Sequence, residues 1–259
     1  MTFTIIGTGN LAWFIGNRLV AARHLCKGVF GRNSAAVQEL AEALLCNKQG
    51  DIKAARETEA DVCFLVVSDN AVAEVASKLS YKKTVLVHTA GAVSLEAIQS
   101  ASPDTAVLWP VYSIPRQSPP AHRNIPTAWE ASSPKAEKYT LTLAHVITDV
   151  LFEARYEQRK WLHLSAVISN NFTNHLMAIC EKICAENNLP FSALEPIIDQ
   201  TFTRFKQASP SAVQTGPAMR GDSATINEQM LLLEKHPYWQ KVYNAMTESI
   251  QHTHQPIKA

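Results

Sequence analysis

Residues 3–12 read Phe3-Thr4-Ile5-Ile6-Gly7-Thr8-Gly9-Asn10-Leu11-Ala12, and this stretch decides the fold. A short apolar run of strand type ends at Gly7. Beyond the second glycine, Leu11, Phe14, Ile15 and Leu19 return at helical spacing. The chain has nine glycines in 259 residues, yet Gly7, Gly9, Gly16, Gly28 and Gly31 all fall in its first 31. Glycine belongs where a backbone turns tightly or must be approached closely. The spacing Gly7-x-Gly9-x-x-Ala12 between a strand and a helix is that of a dinucleotide-binding turn. Gly7 permits the turn, Gly9 lets the backbone reach a pyrophosphate, and Ala12 stays small so the helix can pack on the strand. Thr8, Asn10 and Leu11 complete the turn, and the helix start offers N–H groups and partial positive charge to phosphate. A vestigial turn in a scaffold of the same type is the competing reading.

Working outward, the first 110 residues alternate strand-type and helix-type segments. Gly28-Val29-Phe30 is a short strand run, and Ser34 is expected to cap a helix over residues 35–44. Asp61–Val67 is apolar without alternation, as in a strand buried on both faces, and residues 84–87 and 106–108 repeat that texture. Helical stretches are expected over residues 70–79, capped by Asp69 or Asn70, and over residues 94–99. This order predicts an α/β domain, a Rossmann-type parallel sheet with helices on both faces. Residues 110–134 are rich in proline and serine and read as loop, with one short strand near residues 125–129. A helix over 135–146 and a last strand at 150–152 complete the domain, placed at residues 1–155. Past Tyr156 strand signals vanish, and residues 156–259 read as an all-α C-terminal domain. Its helical stretches are 161–187, 192–207 and 223–252, the last interrupted at His236-Pro237.

Composition narrows the function classes. With 24 basic and 23 acidic residues the formal net charge is +1, so no electrostatic footprint for nucleic acid or an anionic membrane exists. No run approaches the ~18 apolar residues of a membrane span, and the N-terminus lacks signal-peptide character. Five cysteines in no paired pattern suit a reduced, cytoplasmic protein.

The second strand end discriminates between nucleotides. An NAD site carries Asp or Glu about 20 residues past the glycines. Here Gly31 is followed by Arg32, Asn33 and Ser34, whose guanidinium, amide and hydroxyl suit a 2′-phosphate, so the expected cofactor is NADP(H). A solvated loop arginine is the alternative. Val67 and Ser68, at a strand's carboxyl end, are expected to line the nucleotide cleft.

Chemistry has fewer markers. His88 ends the strand of residues 84–87 and is read either as a proton-transferring or carboxylate-orienting group, or as a turn residue. On the long helix, Lys160, His163, Val167, Asn170, Asn171 and Asn174 fall in one stripe at 100° per residue, with apolar residues around the rest. Such a helix is expected to be buried, its stripe facing a polar pocket or forming an asparagine network.

The segments GTGNLA (7–12), VVSDNAV (66–72), HTAGAVS (88–94), NNFTNHL (170–176) and QTGPAMRGD (214–222) resemble the Rossmann-like NADP oxidoreductase family with a C-terminal helical domain of unknown function. Its distant relatives include pyrroline-5-carboxylate reductase, ketopantoate reductase and the β-hydroxyacid, 6-phosphogluconate and deazaflavin-dependent enzymes. The resemblance implies NADP binding, an α-helical dimerisation domain and hence a homodimer. The resemblance supplies no substrate; the leading expectation is an NADP(H)-dependent oxidoreductase that transfers hydride to or from a small polar substrate in the interdomain cleft. The β-hydroxyacid dehydrogenases carry lysine with asparagine four residues later, whereas Lys160 is followed at that spacing by Leu164, so their lysine mechanism does not transfer. A non-catalytic NADP-binding sensor or assembly protein is the alternative class.

Overall fold

The structure, a computed structural model, describes residues 1–254. The described chain forms two compact units, residues 1–169 and the residues from Asn170 onward.

In the first unit, strands β1 (Thr2–Ile6), β2 (Leu25–Phe30), β3 (Gln49–Gly50), β4 (Val62–Leu65), β5 (Val85–His88), β6 (Thr105–Pro110), β7 (Thr127–Ala131) and β8 (Leu151–Glu153) form one sheet. Its order is β3-β2-β1-β4-β5-β6-β7-β8. The inner strands are continuous apolar runs because helices cover both faces. Phe3, Ile5, Val62, Phe64, Val85 and Val87 point into one core with Ile15 and Leu19 of α1 (Asn10–Ala21), Leu40 of α2 (Ser34–Ala43) and Leu143 and Ile147 of α5 (Pro134–Ile147). The alternate residues Ile6, Cys63, Leu65 and Leu86 meet Ala55 of α3 (Ile52–Arg56), Val72 and Ala76 of α4 (Asp69–Ala76) and Ile98 of a short 3₁₀ turn. Phe3, Phe30 and Phe64 are fully buried, and each contributes about 1.5–3 kcal/mol of transfer free energy.

Local details depart from the sequence reading. The sheet is not wholly parallel, since β7 runs antiparallel to β6, with Leu108 opposite Trp129. Parallel pairing needs a crossover element, and the proline-rich segment between these strands supplies only a loop. Asn33, not Ser34, caps α2, its side chain accepting from the Ala36 N–H at 3.1 Å. Ser34 is already the first helical residue. Neither Asp69 nor Asn70 caps α4, because Ser68 is its N-cap. The helix expected over 94–99 is the 3₁₀ turn Leu95–Ile98, and β3 and α3 were not foreseen. Both are too short to carry a periodic signal.

The long helix begins at Tyr156. Its first segment, α6 (Tyr156–Ala166), packs within the first unit, where Leu162 joins Trp109, Val107, Leu95 and Ala128. The units therefore divide after Ser169, later than the 155/156 boundary read from the loss of strand signals. A π-helical stretch, Val167–Phe172, spans the division. The second unit holds α7 (Thr173–Glu186), α8 (Glu195–Phe205), α9 (Pro217–Arg220), α10 (Ser223–Leu232) and α11 (Pro237–His254). Asp222 caps α10 by accepting from the Thr225 N–H at 3.1 Å. The His236 ring stacks on Trp239 at 3.9 Å and its Nε2 lies 2.8 Å from Glu186. No helix among the described residues is long and apolar enough to cross a membrane.

Only part of the apolar surround of the long helix is buried within the chain. Trp161, Leu164, Ile168 and Phe172 are exposed, and so are Ile197, Phe202, Phe205, Leu231 and Leu232 of the second unit.

Candidate active site

The turn after β1 has the geometry its glycines foretold. Gly7 has φ +118°, and a Cβ there would stand 1.9 Å from the Val66 carbonyl oxygen, so β4 and the turn cross with no room for a side chain. The Gly7 N–H donates to the Phe30 carbonyl at 2.8 Å, locking the turn to the end of β2. Gly9 is the N-cap of α1 in an extended conformation, and a Cβ there would meet nothing within 4 Å. It brings no side chain to cap the first turn of α1, and that turn carries no acidic residue. The helix start therefore presents N–H groups without a side-chain cap, which suits an anion.

This turn opens into a cavity of about 670 Å³ at the carboxyl ends of the parallel strands. Of the residues singled out from sequence, Gly7, Thr8, Gly9, Asn10, Leu11, Arg32, Asn33, Val67 and Ser68 line it. Ala12 is fully buried beneath the helix, and Ser34 is outside the lining, its place at the wall taken by Asn33. Sequence reasoning missed Asp51 and Ile52 after β3, Glu74, Val75 and Lys78 on and just past α4, and Thr89. The Glu74–Lys78 pair, 2.7 Å in separation and four residues apart, was a legible helical signal, but which surface it faced was not. Lys78 holds the Glu74 carboxylate below its ordinary range by hydrogen bond and charge, with Arg32 adding to the effect.

The chemical candidates lie elsewhere. His88 is fully buried; its Nδ1 accepts from the Ala90 N–H at 3.2 Å, so the proton sits on Nε2, and the ring also hydrogen-bonds to the Ser94 main chain. Burial, and secondarily the charge of Arg159, push its pKa down to about 3, so the ring is neutral at physiological pH. Arg159 itself is fully buried on α6, ion-paired with Glu130 and donating to the carbonyls of Ala154 and Val93, each at 2.9 Å. His163 is half-buried with its ring 5.7 Å from that of Trp109. Trp109 in turn presses on Gly91, where a Cβ would stand 2.4 Å from the indole. Lys160 is exposed and bound to Glu157 at 2.8 Å, and Asn170, Asn171 and Asn174 are exposed. The polar stripe was projected at 100° per residue, and that projection does not hold across the π-helical stretch.

Residues 2–91 match the family model described as NADP oxidoreductase coenzyme F420-dependent, and residues 125–250 match the domain of unknown function DUF2520. The chain thus pairs a match to an NADP oxidoreductase-type model with a match to a DUF2520 model. Among solved structures, BF3122 from Bacteroides fragilis, a proposed NADP oxidoreductase, is 29% identical, with a TM-score of 0.87 over 96% of this chain and 97% of that one. The 1-pyrroline-5-carboxylate reductase of Streptococcus pyogenes shares the fold at 15% identity, TM-score 0.63, over 97% and 98% of the two chains. An imine reductase variant from Myxococcus stipitatus in complex with NAD+ does so at 15% identity, TM-score 0.60, over 96% and 92%. No curated protein matches the chain. Domain pairing and fold together place it among the NAD(P)-dependent oxidoreductases.

The NADP oxidoreductase domain fits a dinucleotide by its own geometry. The open face of Gly9 and the uncapped start of α1 suit a pyrophosphate, and apolar Ile52, Val67 and Val75 line the same cavity as the cations Arg32 and Lys78. Among the described residues no cluster of three or more metal-ligating side chains occurs.

Proposed function

We propose that the protein transfers hydride between NADP(H) and a small polar substrate. The observation that carries this reading is the glycine turn opening, uncapped, into a cavity walled also by Arg32 and Lys78. Arg32, with Asn33 beside it, is the proposed 2′-phosphate contact that selects NADP(H) over NAD(H). Bound nicotinamide supplies the hydride. The remaining work falls to the chain. The first turn of α1 holds the pyrophosphate. His163, half-buried with its ring beside Trp109, is the proposed donor or acceptor of the reaction's proton. His88 acts as a neutral hydrogen-bond donor through Nε2, positioning its surroundings rather than delivering a proton. Lys160 is demoted by its exposure and its bond to Glu157; the amides of Asn170, Asn171 and Asn174 are proposed to orient substrate.

Titration of the purified protein is expected to give tighter binding of NADPH than NADH by about tenfold to a hundredfold, the value of a charge-assisted phosphate contact. Arg32→Ala should erase the difference, and equal affinity in the wild type would sink the cofactor assignment. In the same preparation His163→Gln should leave NADPH affinity unchanged.

The exposed apolar residues Trp161, Leu164, Phe172, Phe202, Leu231 and Leu232 support a homodimer through the helical domain. Sedimentation equilibrium should return twice the chain's 28.6 kDa, and a monomer at micromolar concentration would refute the dimer. Five free cysteines suit the reducing cytoplasm, the proposed compartment.

A further inference from the structure

Strands β2 and β3 pair in parallel, with Val29 opposite Gln49 and Phe30 opposite Gly50. The Val29 N–H donates to the Lys48 carbonyl at 3.1 Å, so the two segments run side by side ahead of that pair. Ahead of that pair β2 bulges at Lys27 and Cys46 precedes β3, yet the two cysteines are neighbours, the Cys26 and Cys46 thiols hydrogen-bonding to each other. The two thiols have equivalent settings. Cys26 Sγ donates to the Gly28 carbonyl at 3.7 Å and Cys46 Sγ to the Lys48 carbonyl at 3.4 Å, each two residues onward along its own segment. Both belong to the same core cluster, at 5% and 9% exposure.

We propose that Cys26 and Cys46 are a redox pair that closes to an intramolecular disulfide when a peroxide reaches Cys46. Cys46 is the more exposed of the two, and it follows Leu45, an exposed residue in the left-handed region at φ +53°. The neighbouring Cys26 thiol, hydrogen-bonded to it, eases its deprotonation, while Cys26 keeps its own proton beside the Cys46 sulfur. The Cys46 thiolate attacks one peroxide oxygen; the S–O bond forms, the O–O bond breaks, and the hydroxide released takes a proton to leave as water. Cys26 sulfur then attacks the Cys46 sulfenic acid. The S–S bond forms, the S–O bond breaks, and the departing hydroxide leaves as water with the Cys26 proton. Two thiols lose two electrons and one peroxide becomes two waters. The bond ties the segment after α2 to β2. These are the two strands whose following residues, Arg32 and Asn33 after one and Asp51 and Ile52 after the other, wall the nucleotide cavity.

The test exposes the full-length, natively folded protein to stoichiometric hydrogen peroxide, followed by alkylation and mass analysis. The expected product is lighter by about 2 Da, yields a peptide cross-linked between Cys26 and Cys46, and returns to the starting mass with dithiothreitol. The same cross-link should form in a Cys180→Ser/Cys184→Ser variant. In Cys26→Ser, Cys46 should instead carry added oxygen, about 16 or 32 Da. The proposal is overturned if both thiols stay fully alkylatable. It is equally overturned if the cross-link maps to another pair, or if wild-type Cys46 collects oxygen without bridging.

Discussion

Gly9→Val is expected to abolish detectable NADPH binding while leaving the thermal midpoint within a degree or two of wild type. Its backbone sits at φ −74°, ψ 176°, open to any L-residue, and a Cβ there meets nothing within 4 Å. The isopropyl group would therefore project into the space where a pyrophosphate must approach the start of α1. Gly7→Ala should do damage of a different kind. At φ +118° an L-residue is strained by about 1–3 kcal/mol. Its Cβ would also stand 1.9 Å from a main-chain oxygen that belongs to the end of β4 and has nowhere to go. A loss of about 3 kcal/mol or more is expected, from the backbone term plus the displaced crossing of β1 and β4. Paired melts and NADPH titrations separate the two. If Gly9→Val binds nucleotide normally, the turn does not serve phosphate.

The second large effect is a loss of stability in acid that depends on His88. Its native pKa, near 3, lies below the unfolded value of 6.5 because a charged imidazole would be buried beside Arg159. Between those values the unfolded chain takes up a proton and the native one does not. The stabilisation is thus fully present above about pH 6.5 and falls as pH drops toward 3, by about 1.4 kcal/mol per pH unit. Summed over that window the effect is several kcal/mol, comparable with the whole stability of many domains. Urea unfolding measured from pH 7 to pH 4 should show this slope in the wild type. In His88→Gln, which cannot take up the proton, the slope should be reduced by that amount, whatever the variant's stability at pH 7. Parallel curves would show that His88 is not held neutral.

Other particulars separate local from distant causes. The nucleotide turn was readable because its demands are local: a positive φ at Gly7 and bare backbone at Gly9 are met by the residues themselves. Asn33 and Arg32 were readable as a polar strand end, although which of Asn33 and Ser34 would cap α2 was decided by one residue of register. His88 was read as a group at the ligand edge. It shares its strand face with Leu86, and that face packs against a helical layer rather than opening to solvent. Strand parity carried this information; the missing fact was which face the chain would cover there. Arg159 had no sequence signal at all. In the run Glu157-Gln158-Arg159-Lys160 it reads as one more solvated charge, and only Glu130, arriving on β7 from 29 residues away, makes its burial affordable.

By itself, the sequence determined the α/β order, the glycine turn and the start of the helical region, since periodicity and glycine placement are properties of neighbouring residues. Only the tertiary structure decided the antiparallel β7, the burial of His88 and Arg159, the exposure of part of the apolar helix surround and the meeting of Cys26 with Cys46. Each of these depends on which distant segment arrives beside a residue, and that is set by packing of the whole sheet.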